Sequence, residues 1–239
     1  MRYGLLPVLF LLTLSACDSD KDVLPDPTPD PHPNTVLTMA MHWTFGADPF
    51  SLDSIYHDDL GHLVRFDEIR FHAGAPVFLG EFGDTLYTFP DNQHLISAED
   101  GATIRTIGEV DAHLHTMVLT LGLDSAANHT DPSVSPEPLN DFLLWWGWAT
   151  GRVFLRVVVK VDSNGDGTID ALDNDITYDV GRDQLLRRRE LLIEADADVG
   201  GNVIVDLGMD VQRLIQGIDM VADPVTHTDD DPVLAQTLM

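Results

Sequence analysis

From Val36 onward the chain alternates between apolar and polar positions. In VLTMAMHWTF the apolar residues Leu37, Met39, Met41, Trp43 and Phe45 take every second place, with His42 and Thr44 between them. The same period returns at Met117, Leu119, Leu121 and Leu123, and at Val153, Leu155, Val157, Val159 and Val161, interleaved with Arg152, Arg156 and Lys160. Two further series are Leu191, Ile193, Ala195, Ala197 and Val199, then Val203, Val205, Leu207, Met209 and Val211. A period of two belongs to a strand with one face in a core and one in water. Gly, Pro and Asp clusters separate the runs, and no long stretch of period 3.6 competes. The pattern predicts an all-β fold, a single antiparallel β-sandwich. Asp183 is placed to cap a helix over DQLLRRRELLIE, but the alternation that follows favours a loop entering a strand. Asp231 at an N-cap position and Pro232 at N1 predict a short C-terminal helix.

Ahead of that domain the pattern changes twice. Met1 and Arg2 precede an apolar run, Leu5 to Leu14, too short to span a bilayer as a mature helix and suited to a signal peptide. The run ends in LSAC, which resembles the bacterial lipobox and contains Cys17, the chain's one cysteine. Residues 1–16 are therefore expected to be a lipoprotein signal peptide and Cys17 the lipidation site. Residues 17–35 form an acidic, Pro-rich linker that favours an extended tether, and residues 36–239 the folded domain. This order predicts a bacterial cell-envelope protein, anchored to a membrane by lipid and facing the periplasm or exterior. With no second thiol, neither a disulfide framework nor a thiolate metal site is available.

Charge narrows the choice of partners. Thirteen basic and 40 acidic side chains give a formal charge of -27. Such a field repels nucleic acid and anionic lipid and attracts cations. One segment offers a cation a specific place. In DSNGDGTIDALD, oxygen side chains fall at loop positions 1, 3, 5, 9 and 12, as Asp162, Asn164, Asp166, Asp170 and Asp173. Gly167 stands at position 6 and Thr168 at 7, where a backbone carbonyl ligates, so the spacing wraps oxygens around one point as calcium requires. Strand-like runs flank it, RVFLRVVVKV before and ITYDV after. The expectation is an EF-hand-like calcium loop inserted in a hairpin, structural in role.

Ten histidines and four tryptophans supply softer chemistry. His113 and His115, two apart on one strand face, can hold a metal or sit at a sheet rim. His129 occupies a polar turn after a strand. Trp145, Trp146 and Trp148 cluster in WWGW, where aromatic bulk suits a core. No GxSxG, HExxH or phosphate-binding glycine loop is present, so no enzyme activity is expected.

LGLDSAANHTDPSVSPEPLNDFLLWWGWATGRVFLRV resembles the core signature of the MbnP-like family of copper-associated envelope proteins: LGV, then NH, an acidic turn, PLN, WxW and GY. Here it falls on Leu121 to Leu123, Asn128, His129, Pro138 to Asn140, Trp146, Trp148 and Gly151. The resemblance implies a copper-binding β-sandwich, with His129 as the first ligand candidate and His42 and His227 after it. It also implies a di-haem cytochrome peroxidase-like partner that oxidises a tryptophan, the candidates being Trp146, Trp148 and Trp43. The chain departs from the family in having no paired cysteines, in Arg152 after Gly151, and in Asp179 where FHxG would place a histidine. The reading from another class is a calcium-stabilised β-sandwich for surface interaction, without copper.

Overall fold

The structure is a computed structural model that describes residues 34–197 and 201–239; the expected signal peptide, Cys17, most of the expected linker, and residues 198–200 lie outside the described residues. In chain order the strands are β1 (Thr35–Phe45), β2 (Asp48–Pro49), β3 (Tyr56–His57), β4 (Leu63–Leu79), β5 (Thr85–Thr88), β6 (Gln93–Ser97) and β7 (Thr103–Val110). There follow β8 (His113–Leu121), the short helix α1 (Ser125–Asn128), β9 (Trp145–Gly147), β10 (Gly151–Val161), β11 (Asn174–Gly181), β12 (Arg187–Asp196) and β13 (Gly201–Asp210). Helix α2 (Val211–Leu214), β14 (Val225–Thr226) and α3 (Pro232–Leu238) complete the described chain.

Two sheets face each other. The smaller has β1 at its centre, between β13 and β7, with β2 beside its end. The larger runs β12-β8-β4-β10-β11-β14, with β3, β5 and β6 on β4 and β9 on β10. The alternation predicted from the sequence holds: Leu37, Met39, Met41 and Trp43 of β1 and Val157, Val159 and Val161 of β10 share one core. Trp43 meets Phe71 edge-on across the sheets, ring centroids 6.0 Å apart. Burial of such side chains contributes about 1.5 to 3 kcal/mol each, so this core dominates stability.

The sandwich is not purely antiparallel. β13 runs parallel to β1 over Thr35–Thr44 against Gly201–Asp210, and β14 is parallel to β11. The reason is topological. The chain leaves β12 at the edge of the large sheet and enters β13 in the small one, so β13 arrives beside β1 in the same direction. Residues 183–185 form one 3-10 turn before β12, in line with a loop that enters a strand. At the C-terminus Asp231 accepts from Val233 N and Leu234 N and Pro232 opens α3, as the N-cap reading requires.

Candidate metal centre

The segment that carries the family-like signature is fastened to β10 by a buried arginine. Arg152, 1% exposed, donates from Nη1 to the carbonyls of Ala127 at 2.7 Å and Asn128 at 3.0 Å, and from Nη2 to Leu139 O at 2.5 Å. Its guanidinium lies 4.8 Å from the Trp145 ring centroid, a cation–π contact. The alternation placed Arg152 on a polar face. It is covered because the loop carbonyls, not water, supply its acceptors. The neighbouring Gly151 has φ +81°, and a Cβ there would collide with the Asn128 amide. Only glycine fits both demands. Asn128, fully buried, accepts from Arg152 N at 2.6 Å and donates to Asp183 Oδ1 at 2.6 Å.

These contacts aim His129. Its Nδ1 is 2.7 Å from the Trp148 carbonyl oxygen and its Nε2 3.2 Å from Asp183 Oδ1. Both neighbours are acceptors. A neutral imidazole has one N–H, so when Nδ1 donates to Trp148, the Nε2 lone pair faces a carboxylate oxygen. That juxtaposition is favourable only with a proton or a cation between the two. Burial works against ionisation of Asp183, yet hydrogen bonds from Asn128 and Ser125 and the nearby His129 hold its carboxyl below the usual range.

The other candidates divide into two groups. Trp146 packs on the end of β11: a Cβ at Gly181 would come 3.1 Å from its Cζ3. β9 ends at Gly147, φ +137°, and Trp148 turns out to solvent, 80% exposed, so the two tryptophans do not continue along one strand face. His227 has Nδ1 3.1 Å from Asp230 Oδ2 and Nε2 3.9 Å from Asp179 Oδ2. Next to it Thr228 Oγ1 accepts from Gly181 N at 2.9 Å, and Asp229 pairs with Arg182. Residues 179–183 are thus the corner that His129, Trp146 and His227 all border. His42 and Trp43 lie elsewhere, on the small sheet: His42 is exposed, 3.1 Å from Asp206 Oδ1, and Trp43 is in the core.

Asp179, where the resemblance expects a histidine, is committed to an ion pair. Both its oxygens are 2.7 Å from Arg156 Nη1, while Arg156 Nε is 3.2 Å from Glu68 Oε1. Burial pushes the Asp179 carboxyl up, with the Arg156 charge opposing. Among the described residues no group of three or more His, Cys, Asp or Glu side chains stands ready around one metal-sized point. What the corner does offer is two imidazole–carboxylate pairs, His129 with Asp183 and His227 with Asp179. Imidazole is a donor that suits copper, and a carboxylate beside it favours a divalent charge.

Two other sequence features have a definite place. His113 and His115 sit at the rim of the large sheet. His113 is 2.6 Å from Asp196 Oδ1 and 3.2 Å from Glu194 Oε2, and His115 is 2.6 Å from Glu194 Oε1. The loop 162–173 joins β10 to β11, which pair up to Val161 and Asn174. Inside it, Asp162 accepts from Gly165 N at 2.7 Å and Gly167 N at 2.8 Å, and Asp173 accepts from Asp170 N at 2.8 Å. Both carboxylates are nearly buried, at 6% and 7% exposure, so the loop turns its first and last acids inward. No metal cage is formed by these acids as they stand.

A family model described as MbnP matches residues 34–229. The chain belongs to the MbnP family. The solved structure of MbnP from Methylosinus trichosporium aligns over 67% of this chain and 72% of that one, at 11% identity and a TM-score of 0.49, too distant to carry an argument about residues. No curated protein matches the chain in sequence. For this MbnP-family chain, His129 and Trp146 were marked by their motif. Arg152 and Asp183 were not: each acts through partners 13 to 55 residues away, which no local spacing reveals.

Proposed function

We propose that the chain is a lipid-anchored, extracytoplasmic copper-binding protein that acquires, stores or hands on the metal, without enzyme activity of its own. The observation that carries this reading is the corner at residues 179–183, where His129 Nε2 lies 3.2 Å from Asp183 Oδ1 and Trp146 packs alongside. In this reading His129 Nε2 is a copper ligand, and His227, whose Nε2 faces Asp179 across 3.9 Å, is the second histidine. Copper, when bound, supplies the positive charge that the His129–Asp183 pair calls for; Asp179, beside His227, already has that of Arg156. A di-haem peroxidase-like partner oxidises Trp146 or Trp148. The exposed Phe142, Leu143 and Trp148 beside the corner support the docking of such a partner. The loop 162–173 holds calcium as a staple between β10 and β11, with Asp162, Asn164, Asp166, Asp170 and Asp173 and the Thr168 carbonyl as ligands.

Competition titration of the purified protein with copper tests this. The expected result is one tight equivalent, weakened at least about tenfold by His129→Ala and unchanged by His42→Ala on the other sheet. Equal copper binding by the wild type and His129→Ala removes this corner as the site. Intact mass of protein isolated with and without the peroxidase-like partner tests the tryptophan step.

A further inference from the structure

The rim of the large sheet carries a cluster of metal-ligating side chains outside the corner at 179–183. His113 and His115 are two apart at the start of β8, and the edge strand β12 brings Glu194 and Asp196 against them. His113 stands directly opposite Asp196 in the ladder, with Nδ1 2.6 Å from Asp196 Oδ1 and Nε2 3.2 Å from Glu194 Oε2. His115 Nδ1 is 2.6 Å from the other Glu194 oxygen, Oε1. One carboxylate thus lies between two imidazoles, at the opposite end of β8 from the turn that carries His129.

The backbone is bent to put Glu194 there. Leu192 pairs with Thr116 and Ala195 with Leu114, so two residues of β12, Ile193 and Glu194, face the single residue His115. Ile193 packs on the core while Glu194 turns out to the histidines, as a bulge that re-aims a side chain does. Glu194 has φ +44°, a left-handed conformation that costs a side chain what it does not cost glycine. A neutral imidazole has one N–H, so the two nitrogens of His113 cannot both donate to the two carboxylates they face. Either a second proton satisfies them, which the hydrogen bonds to Asp196 and Glu194 favour by raising the His113 pKa, or a metal ion takes a proton's place. Donors on one tetrahedral metal at about 2.0 to 2.1 Å stand roughly 3.3 Å apart, close to the separation of His113 Nε2 and Glu194 Oε2. The donors meet in pairs and not around one point. The side chains of His115, His113 and Glu194, 31%, 44% and 50% exposed, have room to turn them together.

We propose that His113, His115 and Glu194 form a site for a divalent transition-metal ion of the zinc class. Two imidazole nitrogens and a carboxylate oxygen are a ligand set that zinc takes, with water in the fourth position. Asp196 accepts the Nδ1–H of His113 and so turns Nε2 toward the ion, the part a carboxylate plays behind a ligating histidine. Bound there, the ion ties the edge strand β12 to β8. The site depends neither on copper at the corner nor on calcium at 162–173.

Isothermal titration of the purified, chelator-treated and calcium-saturated chain with zinc at pH 7.5 is the experiment. A zinc equivalent is expected that weakens at least about tenfold in His115→Ala and in Glu194→Gly and persists in His129→Ala. Glycine accepts the left-handed backbone at 194 without strain, so Glu194→Gly removes the ligand and leaves the bulge in place. Circular dichroism of the variants establishes that they fold. At a hundredfold excess over Kd, zinc should raise the wild-type Tm by about 5 to 11 °C, a rise missing from His115→Ala and Glu194→Gly. No zinc binding by the wild type, equal binding by the wild type, His115→Ala and Glu194→Gly, or loss of the equivalent in His129→Ala alone would each overturn the proposal.

Discussion

At the level of single residues, His72 is the side chain with two buried ring nitrogens left unpartnered among the described residues. It is 1% exposed, and neither ring nitrogen has a hydrogen-bond partner. Burial, with the Arg152 charge adding to it, lowers its pKa to about 3, against 6.5 for a free imidazole. Between those values the unfolded chain takes up a proton that the native protein refuses. Stability therefore falls as pH drops from 6.5 towards 3, with a slope approaching about 1.4 kcal/mol per pH unit. Urea denaturation at pH 7 and pH 4.5 should show wild type losing about 2 to 3 kcal/mol more than His72→Leu. Equal losses would mean that His72 titrates normally. In the sequence His72 reads as a surface histidine, and the structure buries it, because nothing local shows which polar side chains the fold will cover. Arg152 misled for a related reason: alternation reports which side of a sheet a residue occupies, not whether a loop later covers that side. His129 was legible because its motif is local, while the carboxylate that gives it meaning, Asp183, reaches it only through the folded corner.

Secondary-structure elements were more readable, because a period of two is a local property. β1, β8, β10 and β12 follow the predicted alternation, and the hairpin around residues 162–173 is where the strand-like flanks put it. Strand direction was not readable, since the parallel partner of β1 lies more than 160 residues away. The loop at 162–173 supports a test at this scale. Its first and last acids, Asp162 and Asp173, turn inward at the base of a hairpin whose strands carry much of the large sheet, so a cation that binds there stabilises by mass action, about 2.7 kcal/mol at a hundredfold excess over Kd. Adding calcium to chelator-treated protein should raise Tm by about 5 to 11 °C, and Asp162→Ala should abolish the response. An unchanged Tm in the wild type would leave the loop as an acidic turn.

The whole molecule carries its charge unevenly against function. A formal charge of -27 raises the local concentration of cations around both the corner and the loop at 162–173, and it also strains the compact state by self-repulsion. Salt screens both effects over a Debye length of about 10 Å at 0.1 M. Raising sodium chloride from 10 to 300 mM should increase Tm by at least about 2 °C while slowing copper association in stopped flow. A fall in Tm over that range would show that specific ion pairs such as Arg156 with Asp179 outweigh the general repulsion.

The pairing of β1 with β13 has a consequence for how the protein is made. During synthesis β1 can meet β7 early, but its other ladder is completed by residues 201–210, more than 160 residues on. Contacts so distant in sequence close slowly, because loop entropy must be met before any pairing energy is returned. Until β13 is in place, the small sheet stays unfinished. The same delay leaves β1 with a bare apolar edge, so a chain truncated near residue 200 should aggregate rather than fold.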